Sequence, residues 1–209
     1  MTNMTPTQHA KIGETDLQCM LEIPPLKSRC LVIKFMTEKF DPKTEKLNVR
    51  KNDGEISLME VDVECTYGLK NYGLNISDIL YEEGDDAKNH IPDSFVSKKT
   101  GNLVIDDLIA DVIKDKVAHD NFIRKVVLVL IGTVLAPQNQ KIVPKQYYAL
   151  VEDVGRIKKL NFNEYVRTYL IASLKQVGNA YEAKQWPTGS TILLQVNSIL
   201  NLHTSFDSN

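Results

Sequence analysis

The stretch Asp120-Asn121-Phe122-Ile123-Arg124-Lys125-Val126-Val127-Leu128-Val129-Leu130-Ile131-Gly132-Thr133-Val134-Leu135-Ala136-Pro137 is the most apolar of the chain. From Val126 to Leu135 its apolar run is broken only by Gly132 and Thr133. A bilayer span needs about 20 such residues, so this one is too short and reads as a helix buried inside a globule. Asp120 supplies a capping side chain, the helix runs from Phe122 to Leu135, and Pro137 closes it. Gly132 inside such a helix costs about 1 kcal/mol against alanine. Its presence is therefore expected to answer the close packing of another helix.

The segments on either side supply those neighbours. Upstream, Leu103 to Val117 is amphipathic, with Leu103, Ile105, Leu108, Ile109 and Ile113 apolar. Downstream, Pro144 to Val151 and Asn163 to Val177 read as two further helices. A loop from Gly178 to Gly189 carries the single tryptophan, Trp186, and Ser190 caps a last helix, Thr191 to Leu202.

Toward the N-terminus, Ser28 is placed to cap a helix whose face is Leu31, Val32, Phe35 and Met36, ended by Asp41-Pro42. Lys46 to Arg50 and Glu55 to Leu58 flank Asn52-Asp53-Gly54, the pattern of a β-hairpin. Ser57 stands three residues before Glu60, a capping-box spacing, and Gly68 is a C-cap glycine. A turn at Asn75 to Tyr81 leads into Glu82-Glu83-Gly84-Asp85-Asp86, and residues 82–101 are predicted to be a mobile acidic surface loop. Residues 1–15 are predicted to be a disordered tail, residues 16–203 a single domain, and residues 204–209 a polar tail. The fold class expected is mainly α: an irregular helical globule with one or two short β-hairpins.

A chain of 209 residues that is 43% hydrophobic and 25% charged can bury a core without staples. Its net charge of −2 argues against a protein whose main task is gripping nucleic acid. Three cysteines, Cys19, Cys30 and Cys65, are read as reduced thiols. The first residues show no apolar signal core and no Arg-rich transit pattern. A nuclear or cytoplasmic location without membrane attachment is the expectation.

No constellation of side chains announces catalysis. His9, His90, His119 and His203 are scattered, and zinc needs convergent ligands. Cys65 with His119 could form a nucleophile pair only if the fold joined them, and a helix cysteine is the plainer reading. Asp107, Asp111 and Asp115 share one helix face, which fits a solvated surface better than a metal site. Glu82, Glu83, Asp85 and Asp86 lack the ligand order of a calcium loop. No phosphate-cradling glycine motif occurs. No cofactor and no metal are expected.

Lys141, Lys145, Arg156, Lys158 and Lys159 cluster near Tyr147 and Tyr148, making the best nucleic-acid candidate, although Glu152 and Asp153 interrupt them. Trp186, followed by Pro187, and with it Tyr147 and Tyr148, are the candidate protein-binding residues.

Two ordered sets of residues carry a resemblance. The first is Leu31-Val32-Ile33-Lys34-Phe35, Phe40-Asp41-Pro42, the hairpin with Gly54, then Leu58, Asp62-Val63, Gly68-Leu69 and Gly73. The second is Phe122-Ile123-Arg124, Gly132-Thr133, Leu135, Pro137, Pro144-Lys145, Ala149-Leu150, Asp153, Asn161-Phe162 and Leu193-Leu194-Gln195. In this order they resemble the plant mobile domain, the aminotransferase-like domain of transposon-derived plant proteins. The match departs at Lys70, where that family usually has proline, and at Phe162, where it has tryptophan.

The resemblance implies a transposon-derived domain with an interaction role, associated in domesticated members with silencing and genome stability in the nucleus. It also implies that Gly54, Asp62, Gly68, Gly73, Gly132, Pro137 and Asp153 are structural positions. The leading functional expectation is a non-enzymatic protein-protein interaction module, a regulator or inhibitor acting by binding a protein partner. The alternatives are a nucleic-acid-associated nuclear protein and an enzyme whose catalytic residues the sequence does not reveal.

Overall fold

A computed structural model of the chain describes residues 4–23, 29–48, 55–179 and 186–196. The apolar stretch forms α8, Asp120–Leu130, and continues as one wide π turn, Ile131–Leu135, before Pro137. Seven of the eleven α8 residues are buried. His119, not Asp120, occupies the N-cap position, and its side chain makes no capping hydrogen bond.

Gly132 lies where a Cβ would come 2.9 Å from Val143 Cγ2 and 3.0 Å from Ile105 Cδ1. The close approach comes not from helix packing alone, as expected, but from a two-stranded ribbon and the first residue of the helix that follows it. β4, Leu103–Val104, pairs antiparallel with β5, Ile142–Val143, and lays Ile105 and Val143 against the π turn. The amphipathic segment therefore begins as a strand. Its helical part is α7, Ile105–Lys114, which packs on α8 through Ile105, Leu108 and Val112, while Ile113 stays exposed.

The second centre of the fold is α9, Phe162–Asn179. Asn161 starts it, accepting from Glu164 N at 3.1 Å. α3, Cys30–Lys39, and α4, Glu60–Tyr67, pack on it, together with a three-stranded antiparallel sheet of order β1-β2-β3. β1 is Phe40–Asp41, β2 is Lys46–Asn48 and β3 is Glu55–Ser57; Leu47 faces both Phe40 and Ile56 in register. The hairpin expected from sequence is thus present and gains a third strand. Its turn, with Gly54, lies outside the described residues.

The expected face of α3 is kept at Met36 and partly at Val32 but not at Leu31 and Phe35. Ile33, Met36 and Thr37 are buried, whereas Leu31 is 83% and Phe35 46% exposed. Arg29 is the N-cap, and Ser28 lies outside the described residues. At α4 the cap is Met59, whose N–H donates to Asp62 Oδ2 at 2.7 Å, so Ser57 does not form the expected box. Gly68 ends α4 in the left-handed conformation, φ 70°.

Two stretches read from sequence as disordered or mobile are built into the globule. Residues 6–13 form α1, Pro6–Gly13, closed by a capping box in which Gln8 N donates to Thr5 Oγ1 and Thr5 N to Gln8 Oε1. Gln8 and Ile12 are buried there. In place of a turn and a mobile loop stand α5, Ile76–Glu82, α6, Gly84–Ala87, and a 3₁₀ turn, Asp93–Phe95. Asn75 caps α5 by accepting from Ser77 N and Asp78 N. Gly84, Ala87 and Phe95 are buried, which polarity counting does not reveal.

A short helix α2, Cys19–Glu22, two 3₁₀ helices, Lys145–Leu150 and Val154–Lys159, and a helical turn at 192–196 complete the description. The architecture is mainly α with small antiparallel hairpins. Among the described residues no helix is long and apolar enough to cross a membrane.

Candidate functional site

The two tyrosines proposed for a binding surface are core residues. Tyr147 and Tyr148 are 2% and 4% exposed. The 3₁₀ helix Lys145–Leu150 turns every three residues and sits between α8 and α6, so both rings face inward. Tyr147 and Tyr165 share a hydrogen bond of 2.6 Å between their hydroxyls, with ring centres 6.3 Å apart. Burial pushes the Tyr147 hydroxyl up to about 12 and moves Tyr165 upward as well. Tyr148 packs edge-on against Phe95. Helical spacing near lysines looked like an interleaved basic-aromatic surface; burial of the rings removes the aromatic half of it.

The basic cluster is also divided. Arg156 grips Glu83 with both guanidinium nitrogens, at 2.8 and 2.7 Å, and donates to Ala149 O at 2.6 Å. The hydrogen bonds from Arg156 hold the Glu83 carboxyl below the ordinary range. This pair ties the acidic segment to the second 3₁₀ helix, which is the work of at least one carboxylate in the supposedly mobile loop. Lys141 pairs with Asp106 at 3.0 Å. Lys145 is half-buried, while Lys158 and Lys159 are exposed and form no ion pair among the described residues.

Trp186 is 48% exposed. The residues after it are pinned to α9. Thr188 N donates to Ser173 Oγ at 2.6 Å, and the backbone of Gly189, φ 83°, lies against Tyr169 and Leu170. Gly189 N donates to Pro137 O at 2.9 Å, and Ser190 bonds Tyr67 side chain to side chain. Pro187 is buried beside its exposed neighbour. The tryptophan is thus held outward from a fixed base. α3 rests on the same helix and turns Leu31 and Phe35 outward, and Arg29 N donates to Gln195 Oε1 at 3.1 Å. Nothing in the spacing of Leu31 and Phe35 distinguishes them from core positions; only the packing of Ile33 and Met36 does.

The remaining candidates do not converge. Cys65 is exposed on α4, His119 is exposed at the start of α8, and no hydrogen bond joins them. Asp111 is engaged by Lys125 at 2.6 Å, and Asp115 accepts from Val117 N and Ala118 N. Among the described residues no three metal-ligating side chains come together.

The positions expected to be structural have local explanations. Asp62 and Gly68 bound α4, Gly132 admits the ribbon, and Pro137 accepts from Gly189. Asp153 caps the second 3₁₀ helix through Gly155 N. Gly73, φ 125°, presses on the Lys159 carbonyl where a side chain would collide. Beside it Leu74 N donates to Lys159 O at 2.6 Å and Asn161 N to Leu74 O at 2.9 Å.

That strand-like contact shapes a cleft of about 220 Å³ between residues 13–19, 68–72 and 157–162. Lys70, Tyr72, Lys158, Asp16 and Cys19 are among its walls. Of these only Lys158 belonged to the basic cluster read from sequence, because the other walls come from distant segments.

A family model described as a domain of unknown function (DUF8566) matches residues 1–195. No curated protein matches the chain. No solved structure matches it.

Proposed function

We propose a non-enzymatic protein-binding role for this chain, which belongs to the domain of unknown function family DUF8566. The observation that carries the reading is the outward display of Leu31, Phe35 and Trp186 from elements fixed on α9. Exposed apolar surface that gathers into a patch marks interaction sites, and the reading requires these three side chains to act as one patch. Tryptophan in particular concentrates binding energy because a rigid ring buries much area at little entropic cost. The ordered motifs that resemble the plant mobile domain point the same way; a transposon-derived origin and a nuclear setting belong to this proposal with them.

The test compares variants. Trp186→Ala and Leu31→Asp change exposed side chains, so both proteins should melt like the parent. Tagged parent and variants are recovered from the same cells and their co-purifying proteins quantified. A partner held by the parent and weakened about 30-fold by Trp186→Ala, the scale of a hot-spot loss of about 2 kcal/mol, supports the surface. Equal recovery by all three proteins rejects it.

A further inference from the structure

We infer that the cleft between residues 13–19, 68–72 and 157–162 binds a nucleotide unit, with its base against Tyr72 and its phosphate between Lys70 and Lys158. This site lies apart from the surface just proposed and does not depend on it.

Three backbone devices build the cleft. Gly68 turns left-handed immediately after α4 and lies against the Cys19 side chain, where a Cβ would come within 2.9 Å. Gly73 and Leu74 lock onto Lys159 and Asn161, so the 68–72 and 157–162 walls are held in fixed relation. Asp16, at φ 60°, turns the chain between α1 and α2 to make the third wall. A site assembled from three clamped segments is shaped before any ligand arrives, which lowers the ordering cost of binding.

The chemistry of the walls selects a ligand class. Lys70 and Lys158 come from two different walls, and among the described residues neither meets a carboxylate within ion-pair distance, whereas Lys11, Lys46, Lys125 and Lys175 are all paired. Two lysines lining one cleft attract a compact anion. Tyr72 is 55% exposed, and the Lys70 ammonium lies 5.8 Å from its ring centre. An exposed ring beside paired lysines is the arrangement on which a base stacks while its phosphate is neutralised. Burial raises the Cys19 thiol, so this side chain stays uncharged and adds no repulsion to a phosphate, which leaves Asp16 as the acidic group on that wall. Asp16 forms no ion pair among the described residues and offers an acceptor for the exocyclic N–H of a base. The volume, about 220 Å³, is below the usual range for drug-sized ligands and suits a single nucleotide with one end open to solvent.

The experiment titrates the full chain with the four nucleoside monophosphates, with short single-stranded RNA and DNA, and with inorganic phosphate, following amide chemical shifts. Binding of a monophosphate at up to millimolar concentration assigns the free nucleotide as the source. Binding of strands alone assigns a nucleic-acid end or loop instead. Either outcome supports the inference if Tyr72→Ala weakens it about tenfold, the scale of one base stack, and Lys70→Gln/Lys158→Gln flattens its salt dependence. Tyr72, Lys70 and Lys158 are exposed side chains, and unchanged melting shows that the variants fold. Phosphate binding as well as any nucleotide overturns the inference, as does binding that all variants retain, or no binding of any of these ligands.

Discussion

At the scale of single residues, the lesson is that a side chain's type does not say which way it faces. Tyr147 and Tyr165 illustrate this and carry a prediction. Each is buried, and each hydroxyl has the other as a partner. Burial favours the neutral phenol, so the Tyr147 pKa rises from the ordinary value near 10 to about 12, and that of Tyr165 rises too. The unfolded chain loses these protons first as pH rises. Stability from the pair is therefore complete below about pH 10 and declines as pH climbs through the folded pKa. Thermal melting across that range should show a steep alkaline loss. The double change Tyr147→Phe/Tyr165→Phe removes both hydroxyls and should cost about 1 kcal/mol or less at neutral pH. It should also flatten the alkaline slope; an unchanged slope would assign the effect to other groups. Sequence showed two tyrosines near lysines. It could not show the turn geometry that puts them inside, since three-residue and four-residue helical periods look alike over six positions.

At the scale of elements, what was legible was the existence of most helices and of the first hairpin, and what was not was where polar segments are covered. The apolar run gave α8, and glycine inside it signalled a close neighbour. The neighbour's identity was illegible, because β4 and β5 are two residues each: β4 falls within a pattern that reads as helix, and β5 lies between Pro137 and Pro144, where no element is legible. Gly132 now makes a specific prediction. Its missing Cβ leaves room for Val143 from the ribbon and Ile105 from the start of α7. Gly132→Val should force the two apart and destabilise the protein by about 1–3 kcal/mol, the usual cost of overpacking, despite the better helix propensity of valine. A partner change that shortens the neighbour, Val143→Ala, should recover part of the loss if the clash is the cause. Chemical denaturation of the single and double variants measures both. Additive losses would place the strain elsewhere. The acidic segment was misread for a related reason. Charge density suggested a loop, but Gly84, Ala87 and Phe95 face inward, and Arg156 neutralises Glu83 in place.

At the scale of the molecule, the fold is a set of helices gathered on α8 and α9, and the N-terminal segment belongs to it. Polarity alone assigned residues 1–15 to a tail. The structure instead shows one apolar side chain, Ile12, buried to 1% exposure, and one amide, Gln8, whose Nε2 donates to Asp115 O at the end of α7. Sequence held the capping signal at Thr5 and Gln8, although it is faint when a single buried apolar residue follows it. This difference can be measured. If α1 were a loose tail, Ile12→Ala would change stability by less than about 0.5 kcal/mol, as surface substitutions do. Packed as it is, Ile12→Ala should cost about 2–5 kcal/mol, the scale of emptying a core site. The two expectations do not overlap, so a single unfolding curve decides between them. The effect should also spread beyond α1. The chain from α1 passes through Asp16 into Cys19, which lies against Gly68. Loosening α1 therefore frees one wall of the nucleotide cleft. Amide exchange in Ile12→Ala should rise at residues 15–19 and 68–70 before it rises in α8. Uniform acceleration across α8 and α9 would mean that α1 and the core unfold as one cooperative unit.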